Sequence, residues 1–253
     1  MKKLAFFDSG LGGLTVLHEA LKQMPYEQYI YFADSDHAPY GTQSTANIKS
    51  LVFDAADFLF QQDLKALVLA CNTATSVVIK DLRKKYSIPI IGMEPAVKPA
   101  IELASNKKTL LCATEKTLIE NKLKLLIKNL NAVDKVERLS LQGLVSFAEK
   151  FDFKSLAARN YLSHSFSKIN WVEFDSIILG CTHFIYFKQL IRQLIPAEIQ
   201  ILDGNEGTVK HLQNTITLNT NKQTFPIEFF SSKKPMPHAH FEPCFALLNQ
   251  PIF

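Results

Sequence analysis

Short apolar runs alternate with amphipathic segments along the whole chain, and this alternation limits the fold more than any other feature. KLAFFDS, YIYFADS and ALVLACNT are typical of buried strands, and Leu14, Leu17 and Leu21 have helical spacing. Further helices are predicted from Ile48 and over about Ser76 to Lys85. The strand pattern recurs in IPIIGMEP, TLLCAT, RLSLQG, SIILGCT and IQILDG. This order predicts an α/β fold with parallel sheets and helices on both faces.

Two of the predicted strands end alike, which gives the chain a weak internal symmetry. ALVLACNTAT and SIILGCTHF each place a cysteine and then a threonine behind an aliphatic run. Ligands of parallel sheets bind at the carboxyl ends of strands. We therefore expect two similar α/β halves, each presenting one thiol, Cys71 or Cys181, to a common site.

Charge and hydropathy exclude several classes of protein. Lys and Arg number 28 against 24 Asp and Glu, and no dense basic run is present, so nucleic-acid binding is not expected. The apolar runs are too short for a membrane span. Asp8 interrupts the N-terminal segment before a signal-peptide core could form. We expect a cytoplasmic protein with no membrane partner.

The other cysteines and the C-terminal histidines carry no assigned chemistry. None of the four cysteines forms a CxxC pair, which argues against a zinc knuckle or a redox dithiol. Cys112 follows a strand without an adjoining base and is predicted to be structural, and Cys244 is left unassigned. His238 and His240 lie in a Pro-rich tail that is predicted to be irregular, and no metal site is expected there.

The common motifs of phosphate-binding, nucleotide-binding and hydrolase sites are absent or incomplete. A site with two paired thiols remains as the candidate. Thr15 replaces the third glycine of a dinucleotide fingerprint, and neither a Walker A motif nor a GxSxG elbow is present. A thiol at a helix N-terminus is expected to favour thiolate, and His183 stands two residues from Cys181. Two thiols that face each other across an anionic amino acid can remove the Cα proton on one side and return one on the other. This is racemisation without a cofactor.

Five segments carry a family resemblance in their order and spacing: FFDSGLGGLTVL, YFADSDHAPYG, LACNTAT, IIGMEP and LGCTHF. Together they resemble the glutamate racemases of the aspartate/glutamate racemase superfamily, from the first strand to about Gly204. The resemblance implies interconversion of L- and D-glutamate without a cofactor or metal, supplying D-glutamate for peptidoglycan synthesis. Glutamate is then the small-molecule substrate.

The resemblance also implies residue roles. Cys71 would act on the D-enantiomer with help from Asp8, and Cys181 would act on the L-enantiomer with help from His183. Glu149, in the VSFAE segment, would lie beside His183. The implied substrate ligands are Ser9, Tyr40, Gly41, Asn72, Thr73, Thr114, Thr117 and Thr182.

The family fold implies two doubly wound, pseudo-symmetric α/β domains with the active site in the cleft between them. One would comprise residues 1–95 and 206–253, and the other residues 96–205. Closure of the cleft would exclude water from the reaction. Homodimers are common in the family, so a homodimer is among the expected partners.

Some observations leave alternatives open. Asp36, His37 and Lys116 depart from the family pattern, and Lys116 replaces a glycine, which predicts a reshaped loop. Asp8 could instead cap a helix, and Tyr40 could be only a core residue. The rival functions are a racemase for another acid such as aspartate, a cysteine-dependent hydrolase or lyase, and a weakly active homologue with a protein-binding role.

Overall fold

The structure is a computed structural model that describes residues 2–103 and 107–250. Its strands are β1 (Lys3–Asp8), β2 (Tyr29–Ala33), β3 (Leu64–Leu69), β4 (Ile90–Gly92), β5 (Lys108–Ala113), β6 (Val136–Ser140), β7 (Phe174–Leu179), β8 (Gln200–Asp203), β9 (Glu228–Ser231) and β10 (Lys234–Met236). The eight strands predicted from apolar runs are all present.

Helices follow most of these strands. They are α1 (Leu14–Gln23), α2 (Thr45–Phe60), α3 (Asn72–Lys85), α4 (Val97–Leu103), α5 (Glu115–Ile119), α6 (Asn121–Asn129), α7 (Gly143–Ala148), α8 (Leu156–Phe166), α9 (Lys188–Leu194), α10 (Asn205–Thr215) and α11 (Glu242–Leu248). Short 3₁₀ helices span Ser35–His37, Tyr40–Thr42, Val133–Lys135, Trp171–Glu173, Thr182–Phe187 and His238–His240. No helix of the described ranges is both long and apolar enough to cross a bilayer.

The strands form two sheets. The first sheet has the order β10-β9-β2-β1-β3-β4, in which only the pairing of β10 with β9 is antiparallel. The second sheet has the order β6-β5-β7-β8 and is entirely parallel. This arrangement confirms the α/β class with mainly parallel sheets.

One continuous apolar core joins the two sheets. Side chains alternate along a strand, so Phe6 and Phe7 of β1 point to opposite faces and into different apolar clusters. The cluster that contains Phe6 also contains Leu110 of β5 and Leu179 of β7. Because this core is shared, the polar residues that follow strands of both sheets lie near one another.

Two helices begin earlier than their apolar spacing predicts. α2 begins at Thr45 rather than near Ile48, because the Ser44 hydroxyl accepts a hydrogen bond from the Asn47 N–H at 3.1 Å. α3 begins at Asn72 rather than near Ser76, because Cys71 caps it. Apolar periodicity marks the buried face of a helix, whereas the first turn is set by the capping residue.

The prediction of an irregular C-terminal tail is wrong. β9 extends the first sheet beside β2, β10 pairs with β9, and α11 packs against α1. An aromatic cluster of Phe229, Phe241 and Phe245 supplies the buried surface that holds the segment in place. The prolines do not prevent this order, because Pro235 lies on an edge strand and Pro243 lies in the first turn of α11.

Candidate active site

Cys71 lies between β3 and α3 and forms the N-cap of α3. Its Sγ accepts a hydrogen bond from the Ala74 N–H at 3.4 Å and lies 3.7 Å from the Ser9 Oγ. Burial, followed by the negative charge of Asp8, raises the pKa of the Cys71 thiol to about 12. The helix N-terminus favours the thiolate through the Ala74 N–H, as expected, but desolvation outweighs this contact.

Cys181 follows β7 and leads into the 3₁₀ helix Thr182–Phe187. Its Sγ lies 3.7 Å from Nδ1 of His183, and the Nε2 of the same ring lies 2.5 Å from Oε1 of Glu149. Burial disfavours the imidazolium, but the hydrogen bonds with Cys181 and Glu149 and the charge of Glu149 raise the pKa of His183 well above its ordinary value. The predicted position of Glu149 beside His183 is confirmed.

Asp8 is the last residue of β1 and is completely buried. Its carboxylate accepts hydrogen bonds from the Gly10 N–H at 2.9 Å and the Thr182 hydroxyl at 3.2 Å. Burial raises its pKa to about 6, against the favourable charge of His183. Asp8 does not cap α1, which begins after Gly13, and it acts on Cys71 through its charge.

The glycines after Asp8 permit close contact between the two sheets' loops. A Cβ atom at Gly10 would overlap the Glu149 carboxylate, and one at Gly12 would overlap Thr182 and His183. The Gly12 N–H also points at His183 Nε2, at 3.2 Å. The loop that follows β1 is therefore built to lie directly on the histidine and the glutamate.

Three threonines form a second bridge between the sheets. The Thr73 hydroxyl lies 2.9 Å from that of Thr114 and 3.1 Å from that of Thr117. Thr114 also caps α5. Lys116 adopts an ordinary helical conformation within α5 and needs no positive φ at the position of the family's glycine.

Most of the predicted substrate ligands meet at one small cavity. Its lining comprises Ser9, Pro39, Tyr40, Gly41, Cys71, Asn72, Thr73, Thr114, Val145, Cys181, Thr182 and His183. The cavity has room for about one water molecule. Both polar atoms of the Asn72 side chain are buried there and have no hydrogen-bond partner among the described residues. A buried, unpartnered amide is costly and is commonly found where a ligand binds.

The structure places three of the predicted residues outside the cavity wall. Asp8 and Glu149 lie behind Thr182 and His183, and Thr117 lies behind Thr73 and Thr114. They contact residues of the wall and support them.

Several wall-forming or supporting residues were not among the predicted site residues, although Asp34, Pro39 and Val145 lie in the YFADSDHAPYG and VSFAE segments. Pro39 and Val145 line the small cavity and also a larger one of about 400 Å³ that contains Glu149. Asp34 accepts a hydrogen bond from the Tyr40 hydroxyl at 2.6 Å, and a Cβ at Gly41 would overlap the Gln142 amide. The contact between Gly41 and Gln142 joins segments that are distant in sequence, so spacing alone could not indicate it.

The comparisons with known proteins agree with this geometry. The family model for Asp/Glu/hydantoin racemases matches residues 9–212. A glutamate racemase of Halothermothrix orenii is 48% identical over 85% of this chain and 85% of its own length. A glutamate racemase of Campylobacter concisus is 47% identical over 91% of this chain and 89% of its own.

A solved structure is also similar throughout its length. The glutamate racemase of Francisella tularensis in complex with D-glutamate matches with a TM-score of 0.81 and 26% identity, over 99% of this chain and 95% of its own. The match to the family model covers the loop after β1, both cysteines and His183. This chain therefore belongs to the Asp/Glu/hydantoin racemase family.

Proposed function

We propose that this protein interconverts L- and D-glutamate by a two-base mechanism in which Cys71 and Cys181 are the catalytic bases. The observation that carries the proposal is that two thiols, following strands of two different sheets, line one small cavity. A single-thiol hydrolase or lyase does not require this arrangement.

Each direction of the reaction moves two protons. The thiolate of one cysteine takes the Cα proton and becomes a thiol, which leaves a carbanion-like centre on the amino acid. The thiol of the other cysteine gives its proton to the opposite face and becomes the thiolate. Cys71 is proposed to take the proton from D-glutamate and Cys181 to take it from L-glutamate, so each turnover interchanges the two protonation states.

Substrate charge compensates for the burial of the thiols. The positive ammonium group of an amino acid bound between them attracts a thiolate and lowers the thiol pKa. His183 is proposed to assist Cys181 through their contact at 3.7 Å. Asp8 is proposed to assist Cys71 through its negative charge, which makes the Cys71 thiolate a stronger base. No metal or organic cofactor takes part in these steps.

The ligands of the carboxylates are proposed from the cavity wall. The N-terminus of α3 and the free amide of Asn72 suit an anionic group, because backbone N–H groups and the helix dipole favour negative charge there. Thr73, Thr114 and Thr182 add hydroxyl donors, supported by Thr117. Ser9, Tyr40 and Gly41 complete the wall on the side of the first sheet.

Glutamate is larger than the cavity, so we propose that the two halves separate to admit it. The first lobe would comprise residues 1–95 and 206–253, and the second lobe residues 96–205. The chain crosses between them next to Glu94 and Gly204, where a Cβ on Gly204 would overlap the Glu94 carbonyl. Two adjacent crossings suit a hinge, and Pro39 and Val145 stand where a substrate would pass between the larger cavity and the smaller one.

The cellular role is proposed from the reaction and the relatives. D-glutamate is a component of peptidoglycan, so the protein would supply it in the cytoplasm, where peptidoglycan precursors are made. The relatives are glutamate racemases, and one of them is a complex with D-glutamate. Homodimerisation is part of this proposal, as it is common in the family.

Heavy water provides the decisive test of the reaction. The protein, dialysed against a chelator and given no cofactor, is incubated with D- or L-glutamate in D₂O. We expect deuterium at Cα by NMR and loss of optical rotation from either enantiomer. Exchange with aspartate but not glutamate would transfer the proposal to the other acidic substrate. Absence of both reactions, or hydrolysis of amides or esters instead, would contradict it.

A further inference from the structure

A buried tyrosine stands three residues after His183, in the same 3₁₀ helix Thr182–Phe187. Side chains at i and i+3 of a 3₁₀ helix lie above one another, so Tyr186 and His183 point to the same side. Both reach the loop that follows β1. The Tyr186 hydroxyl donates a hydrogen bond to the Leu11 carbonyl at 2.7 Å.

The peptide groups on either side of Leu11 are hydrogen-bonded to side chains from the part of the protein that contains the second sheet. The Leu11 N–H donates to Oε1 of Glu149 at 2.8 Å, while the Leu11 carbonyl accepts from Tyr186. Peptide groups are planar and rotate only about the bonds at Cα. Fixing the Leu11 carbonyl therefore limits the direction in which the Leu11 N–H can point.

The same glutamate oxygen contacts His183. Oε1 of Glu149 thus has two neighbours, the Leu11 N–H and the His183 Nε2. The Glu149 side chain is about one-fifth exposed and lines the larger cavity, so water competes for it. The Leu11 N–H holds the carboxylate against the imidazole rather than in water.

We propose that Tyr186 is a positioning residue for this reaction, acting through Leu11 to hold Glu149 against His183 and so to orient His183 toward Cys181. The proposal rests on the racemase function given above. Tyr186 does not contact the small cavity that contains the two cysteines, so it is not a catalytic residue.

Tyr186 also has ordinary packing contacts, which a test must separate from its hydroxyl. Its ring centroid lies 4.8 Å from that of Phe153, and its hydroxyl also interacts with the Cys244 thiol. Tyr186→Phe removes the hydroxyl and keeps the ring. Tyr186→Met, whose flexible side chain fills irregular space, replaces it should Tyr186→Phe fail to fold.

Tyr29 offers a matched control. It is also buried, and its hydroxyl donates to the Met24 carbonyl at 2.7 Å, away from the cavity. Tyr29→Phe deletes the same kind of bond without touching the loop after β1. Cys244→Ala is a second control, because it alters the packing around Tyr186 and keeps the bond to Leu11.

The test is the titration of His183, followed by NMR of ring-labelled histidine and assigned by comparison with His183→Asn. The charged or titratable groups that face this imidazole are Glu149, Cys181 and Asp8. Weaker contact with Glu149 leaves the imidazolium less stabilised. We expect His183 to lose its proton at lower pH in Tyr186→Phe and at the wild-type pH in Tyr29→Phe and Cys244→Ala. An unchanged titration in Tyr186→Phe overturns the proposal.

Kinetics with D-glutamate give a second readout. Loss of one buried hydrogen bond is expected to lower kcat/KM roughly tenfold in Tyr186→Phe, with its alkaline limb moved to lower pH. A wild-type protein that does not racemise glutamate refutes the proposed function, while the NMR titration still decides the role of Tyr186. A shifted titration with unchanged kinetics shows that the contact exists but does not serve the reaction, which also overturns the proposal.

Discussion

The two cysteine segments are similar in sequence and different in their surroundings. Cys71 caps a 14-residue helix and contacts a hydroxyl and a backbone N–H, whereas Cys181 precedes a six-residue 3₁₀ helix and contacts an imidazole. The acidic group of the first segment, Asp8, opposes ionisation of its thiol. That of the second, Glu149, stabilises the cation next to its thiol. Similar strand ends thus present two thiols to one cavity. The acidic group near the first thiol opposes its ionisation, whereas the acidic group near the second stabilises a cation beside it.

The difference comes from the residue that follows each cysteine by one or two positions. Asn72 and Thr73 begin a regular helix, so the backbone N–H of Ala74 in its first turn points back to the Cys71 sulfur. In the second segment, His183 turns toward Cys181 and is held by Glu149, which lies at the C-terminal end of α7. One side of the cavity is therefore a helix N-terminus, and the other is an imidazole–carboxylate pair.

Single replacement of the cysteines is expected to have the largest effect on this comparison. Cys71→Ser and Cys181→Ser should each lower racemisation of either enantiomer by about 10²–10⁴-fold, because a proton-transferring group is lost in both directions. The measurement is the rate of optical change with D- and with L-glutamate. Cys112→Ala, which changes a core thiol of β5, is the matched control and should keep its activity. Normal racemisation by either serine variant would contradict the two-thiol mechanism.

Replacement of Asp8 measures how much folding stability is lost by burying its carboxylate, whose charge acts on Cys71. The pKa of Asp8 is raised from 3.8 to about 6, so between these values the folded state binds more protons than the unfolded state. Folding stability from this group is therefore lost as the pH rises through that window. Asp8→Asn removes the titration, and its stability relative to wild type should increase by about 2 kcal/mol between pH 4 and pH 7.

Urea unfolding at several pH values checks this prediction. Asp57→Asn provides a control of opposite sign, because Lys85 and Tyr86 hold the pKa of the exposed Asp57 below its usual range. The stability of Asp57→Asn relative to wild type should therefore decrease, rather than increase, as the pH rises. A stability difference between Asp8→Asn and wild type that is constant with pH would show that burial does not dominate at Asp8.

Replacement of Lys116 tests a contact that involves neither cysteine. It is expected to have the smallest effect of these replacements. The Lys116 Nζ lies 2.6 Å from the Thr45 hydroxyl of α2 and 3.1 Å from the Glu120 carboxylate, so it joins α5 to α2 across the two proposed lobes. Lys116→Ala should raise KM for both enantiomers by about two- to fivefold through weaker closure.

Steady-state kinetics of both directions measure this effect. Lys98→Ala, which removes an exposed pair with Glu102 inside α4, is the control and should leave KM unchanged. An unchanged KM in Lys116→Ala would show that the bridge to Thr45 does not contribute to closure. An effect on one enantiomer alone would place Lys116 with one of the two cysteines.

Much of the fold followed from local pattern. The apolar runs predicted eight strands and the parallel class, because strands buried on both faces are nearly continuous in hydrophobicity. The C-terminal segment was missed because its short elements carry no period, and their order depends on burial of Phe229, Phe241 and Phe245 against distant strands. The first turns of α2 and α3 were missed because Ser44 and Cys71 act there as caps.

The sequence by itself determined the polar residues at strand ends, since parallel strands place their carboxyl ends at one edge and chemistry-bearing residues must follow them. Only the tertiary structure decided which of the predicted residues line the cavity and which support its wall from behind, as Asp8, Glu149 and Thr117 do. It also decided the direction of the pKa shifts: burial raises the pKa of Cys71, and the hydrogen bonds with Cys181 and Glu149 raise that of His183. Desolvation and charge act between groups that only folding brings together, so no spacing along the chain could reveal them.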